Sequence, residues 1–319
     1  MATNHSNYSA FYCKFNEDFK YILLPVSYAL VFVIGLALNA TALFVIVFRT
    51  KRWKPSTIYM FNLTMCDTLY IFTLPFLVYY YADENDWPFT EPLCKLIRFL
   101  FYANLYGSIL FLCCISLHRF IGICYPVRSM SWVSARRARL VSVAVWAIVF
   151  CCQAARDTGR VCYDTTSPEL FDDFLVYSSI ISVLMFALPF MVVMVCNGLM
   201  VRKLLEPGWG SDGGPDSERG GLSANRSKQK SVKMIIIVLG TFMLCFLPFH
   251  LTRTQSSTGD DKHFCTLLEA SSVAYKVTRP LASANSCLDP ILYFLAGQDA
   301  RSTLTKKTKA KWQELIAKH

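Results

Sequence analysis

Apolar stretches of about 20 residues recur along the whole chain, separated by short polar connections. Runs of that size match a bilayer hydrocarbon core roughly 30 Å thick, so each reads as a membrane-spanning helix. Seven are found, at 21–48, 57–81, 93–117, 139–155, 174–200, 233–253 and 273–296. The fourth is the weakest, being short and interrupted by Cys151, Cys152 and Gln153. The pattern predicts an all-α membrane protein built as a seven-transmembrane helix bundle. An N-terminal arm (1–20), a seven-span domain (21–298) with a linker at about 206–227, and a tail (299–319) complete the expected organisation.

Composition agrees, with 54% hydrophobic and only 17% charged residues. The first 20 residues lack the basic start, apolar core and cleavage site of a removable signal, so span one is expected to act as its own insertion signal. A net charge of +10 would suggest nucleic acid in a soluble chain, but here placement decides its meaning. Arg49, Lys51, Arg52 and Lys54 follow span one, and Arg119, Arg128, Arg136, Arg137 and Arg139 follow span three. Lys228, Lys230 and Lys233 precede span six, and Lys306, Lys307, Lys309 and Lys311 fill the tail. The alternate connections are acidic, with Asp83, Glu84, Asp86 and Glu91, then Asp164, Glu169, Asp172 and Asp173, then Asp260 and Asp261. The positive-inside rule makes the basic loops cytoplasmic, which puts the N-terminus outside the cell and the tail inside. The partner implied for the excess positive charge is membrane lipid, not nucleic acid.

The same map divides the thirteen cysteines. Cys13, Cys94, Cys162 and Cys265 fall on extracellular segments, an even number in an oxidising compartment that can pair in three ways. The other nine lie in or beside spans, where cysteine acts as a small apolar filler, and no His/Cys spacing suggests zinc. Asn4 and Asn7 open glycosylation acceptor triplets on the outer arm. Gly208 to Gly221, rich in Gly, Ser and acid, reads as a flexible cytoplasmic linker.

Each span carries a few polar or helix-breaking residues. Asn39 sits in span one, Asp67 in two, Ser108 in three, Trp146 in four, Pro189 in five and Pro248 in six, while span seven holds Asn285 and Asp289-Pro290-Ile-Leu-Tyr293. In order and depth this set resembles the rhodopsin-like G-protein-coupled receptors. His118-Arg119-Phe120 stands where that family usually has Asp-Arg-Tyr, and Asp289-Pro290 where it usually has Asn-Pro. The resemblance implies a short cytoplasmic amphipathic helix after span seven and a G-protein contact around Arg119. Asp67 is a carboxylate deep in a span, so it must be neutral, paired or solvated. With Ser108, Asn285 and Asp289 it forms either an oxygen cage for a sodium ion, as in that family, or a water-filled polar network. Beyond such an ion no metal and no cofactor is implied. Pro248 and Pro290 are expected to kink their helices.

Four cations, Arg98, Arg253, Lys276 and Arg279, lie near the outer ends of spans three, six and seven. Charge at such depth usually lines a cavity. His250 and Arg253 are three apart, as are Lys276 and Arg279, so each pair shares a helix face. Snorkelling to the interface would suit one such residue. Four, accompanied by Tyr102, Tyr106 and Tyr275, describe a pocket. Guanidinium groups grip phosphate oxygens through paired hydrogen bonds, and tyrosine rings stack on planar bases, so a ligand with several phosphates and an aromatic base fits.

The strings Ile97-Arg98-Phe-Leu-Phe-Tyr102, Phe249-His250-Leu-Thr-Arg253 and Ala274-Tyr275-Lys276-Val-Thr-Arg279 are similar to the extracellular-nucleotide (purinergic) receptors, and most to their uridine-nucleotide-preferring subgroup. Tyr79-Tyr80-Tyr81 and Trp87-Pro88-Phe89 add to the likeness. The resemblance implies phosphate contacts from Arg98, His250, Arg253, Lys276 and Arg279, a loop acid at Asp164 pairing with Arg279, and disulfides Cys94–Cys162 and Cys13–Cys265. It also implies activation by UTP, UDP or ATP at the plasma membrane and signalling through a phospholipase-C-activating G protein. Three departures stand out. Only 16 residues separate Trp146 from Cys162, fewer than the family usually has. A polar string follows Arg253, and Asn197 replaces the usual span-five Tyr. Phe246 also stands where much of the wider family has Trp. The competing readings are a receptor of the same fold for a peptide or lipid anion, and an organic-anion transporter. An enzyme is not expected, for want of a phosphate-cradling Gly loop or an outer carboxylate cluster.

Overall fold

The computed structural model describes residues 18–154, 180–206, 218–254 and 261–296. Asn4, Asn7, Cys13, Cys162, Asp164 and the tail with its expected amphipathic helix lie outside the described residues, as do the side chains of Arg253 and Cys265. The elements are α1 (Lys20–Phe44), running into a π turn (Val45–Arg49), α2 (Pro55–Ile71), α3 (Leu74–Ala82), α4 (Glu91–Cys124), α5 (Pro126–Trp132) and α6 (Ala135–Ala154). A π turn (Val183–Ala187) then leads into α7 (Leu188–Leu205), followed by α8 (Glu218–Thr241), a π turn (Phe242–Phe246), α9 (Leu247–Thr254) and α10 (Asp261–Ala296). No strand occurs among the described residues.

Helix α4 is the axle of the bundle, touching α2, α6, α7 and α8, while α1 packs on α2, α3 and α10. Among the described residues, five segments are long and apolar enough to cross a membrane: Lys20–Arg49, Pro55–Ala82, Glu91–Cys124, Ile180–Leu205 and Ser231–Thr252. The fourth and seventh spans fall short for different reasons. Helix α6 opens on Arg136, Arg137 and Arg139, whereas α10 carries Arg279, Ser283, Asn285, Ser286 and Asp289, all buried. That polar face is turned inward, so the seventh helix meets lipid with its apolar side alone. The burial pattern of the spans is inverted relative to a soluble protein: Asp67, Ser108 and Asn285 are fully buried while Ile22 and Phe48 are more than 70% exposed. Only a hydrocarbon surrounding makes that arrangement favourable. Two helices overrun their expected limits. Helix α10 starts at Asp261, well before position 273, and α8 starts at Glu218, inside the stretch read as linker.

The prolines set the shape of the spans. A proline at position i leaves the carbonyl of residue i−4 without its helical partner. The tripeptide Leu-Pro-Phe occurs at 74–76, 188–190 and 247–249. Pro75 frees the carbonyl of Ile71, where α2 ends, and the chain restarts as α3 after a tight turn in which Thr73 N–H donates to Tyr70 O at 2.8 Å. Pro189 and Pro248 free the carbonyls of Met185 and Leu244, each inside a π turn that widens the helix locally. Pro290 behaves differently, for α10 continues through it unbroken. The carbonyl it frees belongs to Ser286, and Asn39 of α1 donates its Nδ2 to that oxygen at 2.8 Å. The span-one Asn thus supplies the hydrogen bond that the span-seven Pro removes.

Candidate functional site

The outer half of the bundle holds the cation pocket, and Arg279 sits at its base. Its guanidinium donates from Nη1 to the Tyr81 hydroxyl at 2.8 Å and lies 5.2 Å from the centre of the Phe101 ring. Only 9% of the residue is exposed. A hydroxyl acceptor and an aromatic face together hold a charge that apolar helices would otherwise exclude. Beneath it, Ser283 donates to the Arg279 carbonyl at 3.1 Å and meets the Tyr70 hydroxyl at 2.7 Å, tying spans two and seven. The aromatic floor runs from Tyr70 to Phe101, to Phe249 and on to Tyr275, with ring centres 5.6–5.9 Å apart.

His250 is buried on the far side of this floor. Its ring stacks on Phe186 at 4.2 Å and 8°, and its Nδ1 is 3.1 Å from the Ser182 hydroxyl, both in span five. Tyr106 reaches it at 6.1 Å, and Tyr102 stacks on Tyr106 at the same separation. Arg98 lies one helical turn outward of Tyr102, and Lys276 one turn outward of Arg279, both half-buried. The backbone of Arg253 belongs to α9, which Thr252 joins to Thr278 of α10 at 3.0 Å. The fold therefore brings Arg279, His250, Tyr102, Tyr106 and Tyr275 into one aromatic-lined region and places Arg98 and Lys276 on its rim. Tyr81, Phe101, Ser182 and Phe186 are additions. Tyr81 stood in the sequence only as part of a tyrosine triplet, and nothing local tied it to position 279. Cys94 is buried and disulfide-bonded; the expected Cys13–Cys265 pair lies outside the described residues.

A second polar region lies deeper. Oriented to face its acceptors, the Asn285 amide donates to the Asp289 carboxylate at 2.6 Å and accepts from the Ser108 hydroxyl at 3.2 Å. Asn104 donates to the Ser286 hydroxyl at 3.1 Å, and Ser108 lies 3.4 Å from the Asn104 oxygen. Asp67 is fully buried, and neither of its oxygens has a hydrogen-bond partner; the Ser286 hydroxyl is a polar neighbour without good hydrogen-bond geometry. Of the four residues expected here, Ser108, Asn285 and Asp289 are joined by hydrogen bonds together with Asn104 and Ser286, while Asp67 stands beside them with both oxygens unsatisfied. Helical spacing could have found Asn104, which is one turn from Ser108. Spans two and three can approach so closely here because position 107 is Gly: a Cβ there would stand 2.8 Å from the Cys66 sulfur. Two unsatisfied oxygens of a buried carboxylate among hydroxyls and a second carboxylate fit a small hard cation such as sodium.

At the cytoplasmic end Arg119 lines a cleft with Ser116, Asn197 and Ser231. His118, in the place of the usual acid, turns its ring against Tyr59 at 6.4 Å, and Asn197 donates to the Val193 carbonyl of its own helix at 2.8 Å. Trp146 donates to the Asn62 side chain at 2.9 Å, fastening the short fourth span to span two. Residues 38–293, from just before the span-one Asn to the Tyr of span seven, match the family described as 7 transmembrane receptor (rhodopsin family). The chain belongs to this family. Its similarity to several purinoceptors is high. It is 54% identical to purinoceptor 2 of Homo sapiens over 296 residues, covering 90% of this chain and 76% of that one. It is 47% identical to purinoceptor 4 of Rattus norvegicus over 306 residues, covering 92% and 81%. Purinoceptor 1 of Homo sapiens is 38% identical over 316 residues, covering 94% and 81%. By this kinship the rhodopsin-family receptor is a multi-pass protein of the plasma membrane and not an enzyme. The transporter reading falls with that membership.

Proposed function

We propose that this receptor is activated by an extracellular nucleotide, UTP, UDP or ATP, and signals through a phospholipase-C-activating G protein. The observation that carries the reading is the fixed Arg279 guanidinium, held by Tyr81 and Phe101 beside stacked tyrosines at the outer end of the bundle. The name its relatives share, purinoceptor, supports it. Phosphate oxygens would take Arg279, Lys276, Arg98 and Arg253 as charge-assisted donors, with Tyr102 and Tyr106 offering ring faces to the base. His250 acts one layer deeper: stacked on Phe186, it passes displacement of span six to span five. The π turn before Pro248 is the pivot about which the inner part of span six swings away from Arg119, admitting the G protein. A ligand drives this only by its differential affinity for the two states, so the cations must grip phosphate better in the contracted outer pocket. A sodium ion, when bound, supplies positive charge to the inner network; Asp67, Ser108, Asn285 and Asp289 would hold it. Calcium release measured across UTP, UDP, ATP and ADP in cells lacking other nucleotide receptors tests the assignment. Arg279→Ala at matched surface expression is expected to abolish the response. An unchanged dose curve refutes the pocket.

A further inference from the structure

Helix α1 begins at Lys20, the last position of the stretch read from the sequence as an outer arm, and this lysine is only 7% exposed. A lysine is almost never buried so far unless something holds its charge. Lys20, Leu24, Tyr28, Val31, Gly35 and Asn39 recur at helical spacing and form the buried face of α1, the helix that packs on α3 and α10. The ammonium lies 5.0 Å from the centre of the Tyr21 ring, and the Tyr21 hydroxyl accepts from Asn85 Nδ2 at 3.0 Å. The outer end of span one is thereby tied to the loop that follows span two.

Depth and face place this cation beside the pocket. Tyr28, two turns inward of Lys20, has its ring 6.1 Å from that of Tyr81, the acceptor of the Arg279 guanidinium. Spans one and seven both run from outside to inside, and the Cys287 thiol donates to the Val31 carbonyl at 3.8 Å, which sets their register. Lys276 is eleven residues outward of Cys287, as Lys20 is of Val31. The same sulfur stands 3.6 Å from the position of a Cβ on Gly35, a register that moves Lys20 only about one turn further outward. Lys20 and Lys276 are therefore within a turn of each other in depth, on packed helices whose axes are roughly 8–10 Å apart. Phe101, next to Tyr102 of span three, lies on one side of Arg279, and the Tyr81–Tyr28 pair leads from its other side to span one. A nucleotide with its base on Tyr102 and Tyr106 and its inner phosphates on Arg279 thus directs the end of its phosphate chain to the seam between spans seven and one, away from His250 and span five.

We propose that Lys20 binds the terminal phosphate of a nucleoside triphosphate and is the side chain by which the receptor distinguishes a triphosphate from a diphosphate. An ammonium is a compact charge with rotatable donors, suited to a terminal phosphate that turns freely, whereas the Arg279 guanidinium grips in a fixed plane. This role of Lys20 rests on the nucleotide reading above. The test uses the full-length receptor in phosphatidylcholine nanodiscs, with affinities for UTP and UDP read from the rise of the melting midpoint with ligand concentration. Lys20→Gln should lower UTP affinity about tenfold or more, the loss of a hydrogen bond to a charged group, and UDP affinity by less than about threefold. A lysine that only supports the fold would move both ligands alike. In parallel, the wild-type receptor is photolabelled with a UTP analogue bearing an aryl azide on its terminal phosphate. Label is expected on the peptide spanning 18–28 and should be removed by excess UTP but not by uridine. Should Lys20→Gln misfold, the labelling of the wild-type receptor decides alone. Equal loss of UTP and UDP affinity, an unchanged UTP affinity, or label confined to spans five and six overturns the proposal. A wild-type receptor that binds neither nucleotide overturns the proposed function itself, whereas one that binds both without regard to residue 20 overturns this role alone.

Discussion

The hydrogen bond from Asn39 to the Ser286 carbonyl yields a prediction in which one substitution rescues another. Pro290 has no N–H, and without Asn39 the Ser286 oxygen would be a buried acceptor with no partner. Leaving such a group unsatisfied costs about 1–3 kcal/mol. The other bond Asn39 makes, to Gly35 O at 2.9 Å, goes to a carbonyl within its own helix and contributes little to joining the spans. Asn39→Ala should therefore lower stability by about 1–3 kcal/mol, or a few degrees in melting midpoint at about 2 °C per kcal/mol for a large domain. Pro290→Ala restores an N–H that can reach Ser286 O in the continuous α10. In that background Asn39→Ala should cost at least about 1 kcal/mol less, a coupling well above the roughly 0.3–0.5 kcal/mol scatter of independent sites. Midpoints can be read in detergent with a thiol-reactive fluorophore, because Cys66, Cys196 and Cys245 are buried free thiols that unfolding exposes. Strict additivity of the two substitutions would refute the account of why the proline does not break the helix.

Three other expectations follow from the same geometry. Tyr81→Phe removes the acceptor of the Arg279 guanidinium and should shift nucleotide potency about tenfold or more without lowering the maximal calcium response, given about 1.5–3 kcal/mol for a hydrogen bond to a charged group; unchanged potency would separate Tyr81 from Arg279. Gly107→Ala places a Cβ 2.8 Å from the Cys66 sulfur and should destabilise the receptor by about 1–3 kcal/mol, with Cys66→Ala restoring the melting midpoint; a midpoint indifferent to the second change would mean that spans two and three yield freely. Sodium in place of a large organic cation should raise the melting midpoint of the wild-type receptor and leave that of Asp67→Asn unmoved, because the two unsatisfied Asp67 oxygens are the reason for a cation there; an identical sodium effect on both would remove the ion from this network.

What the sequence discloses about this receptor divides along a physical line. Constraints imposed by the bilayer act on each residue separately, so they are written locally: about 20 apolar residues per span, basic loops on one side, and a carboxylate such as Asp67 whose depth alone marks it. The same holds for the breaks at Leu-Pro-Phe, since a missing N–H is a property of the proline itself. Pairings are not local. Arg279 and Tyr81 are 198 positions apart, and Asn39 and Ser286 are 247 apart. Each partner taken alone has an ordinary explanation, a tyrosine near an interface or an amide in a helix. The form of a break is equally hidden, since Pro75 divides its span into two helices, Pro189 and Pro248 produce π turns, and Pro290 leaves α10 intact. At Pro290 the freed carbonyl is received by a side-chain amide from the first span, a partner that no local pattern around the proline announces.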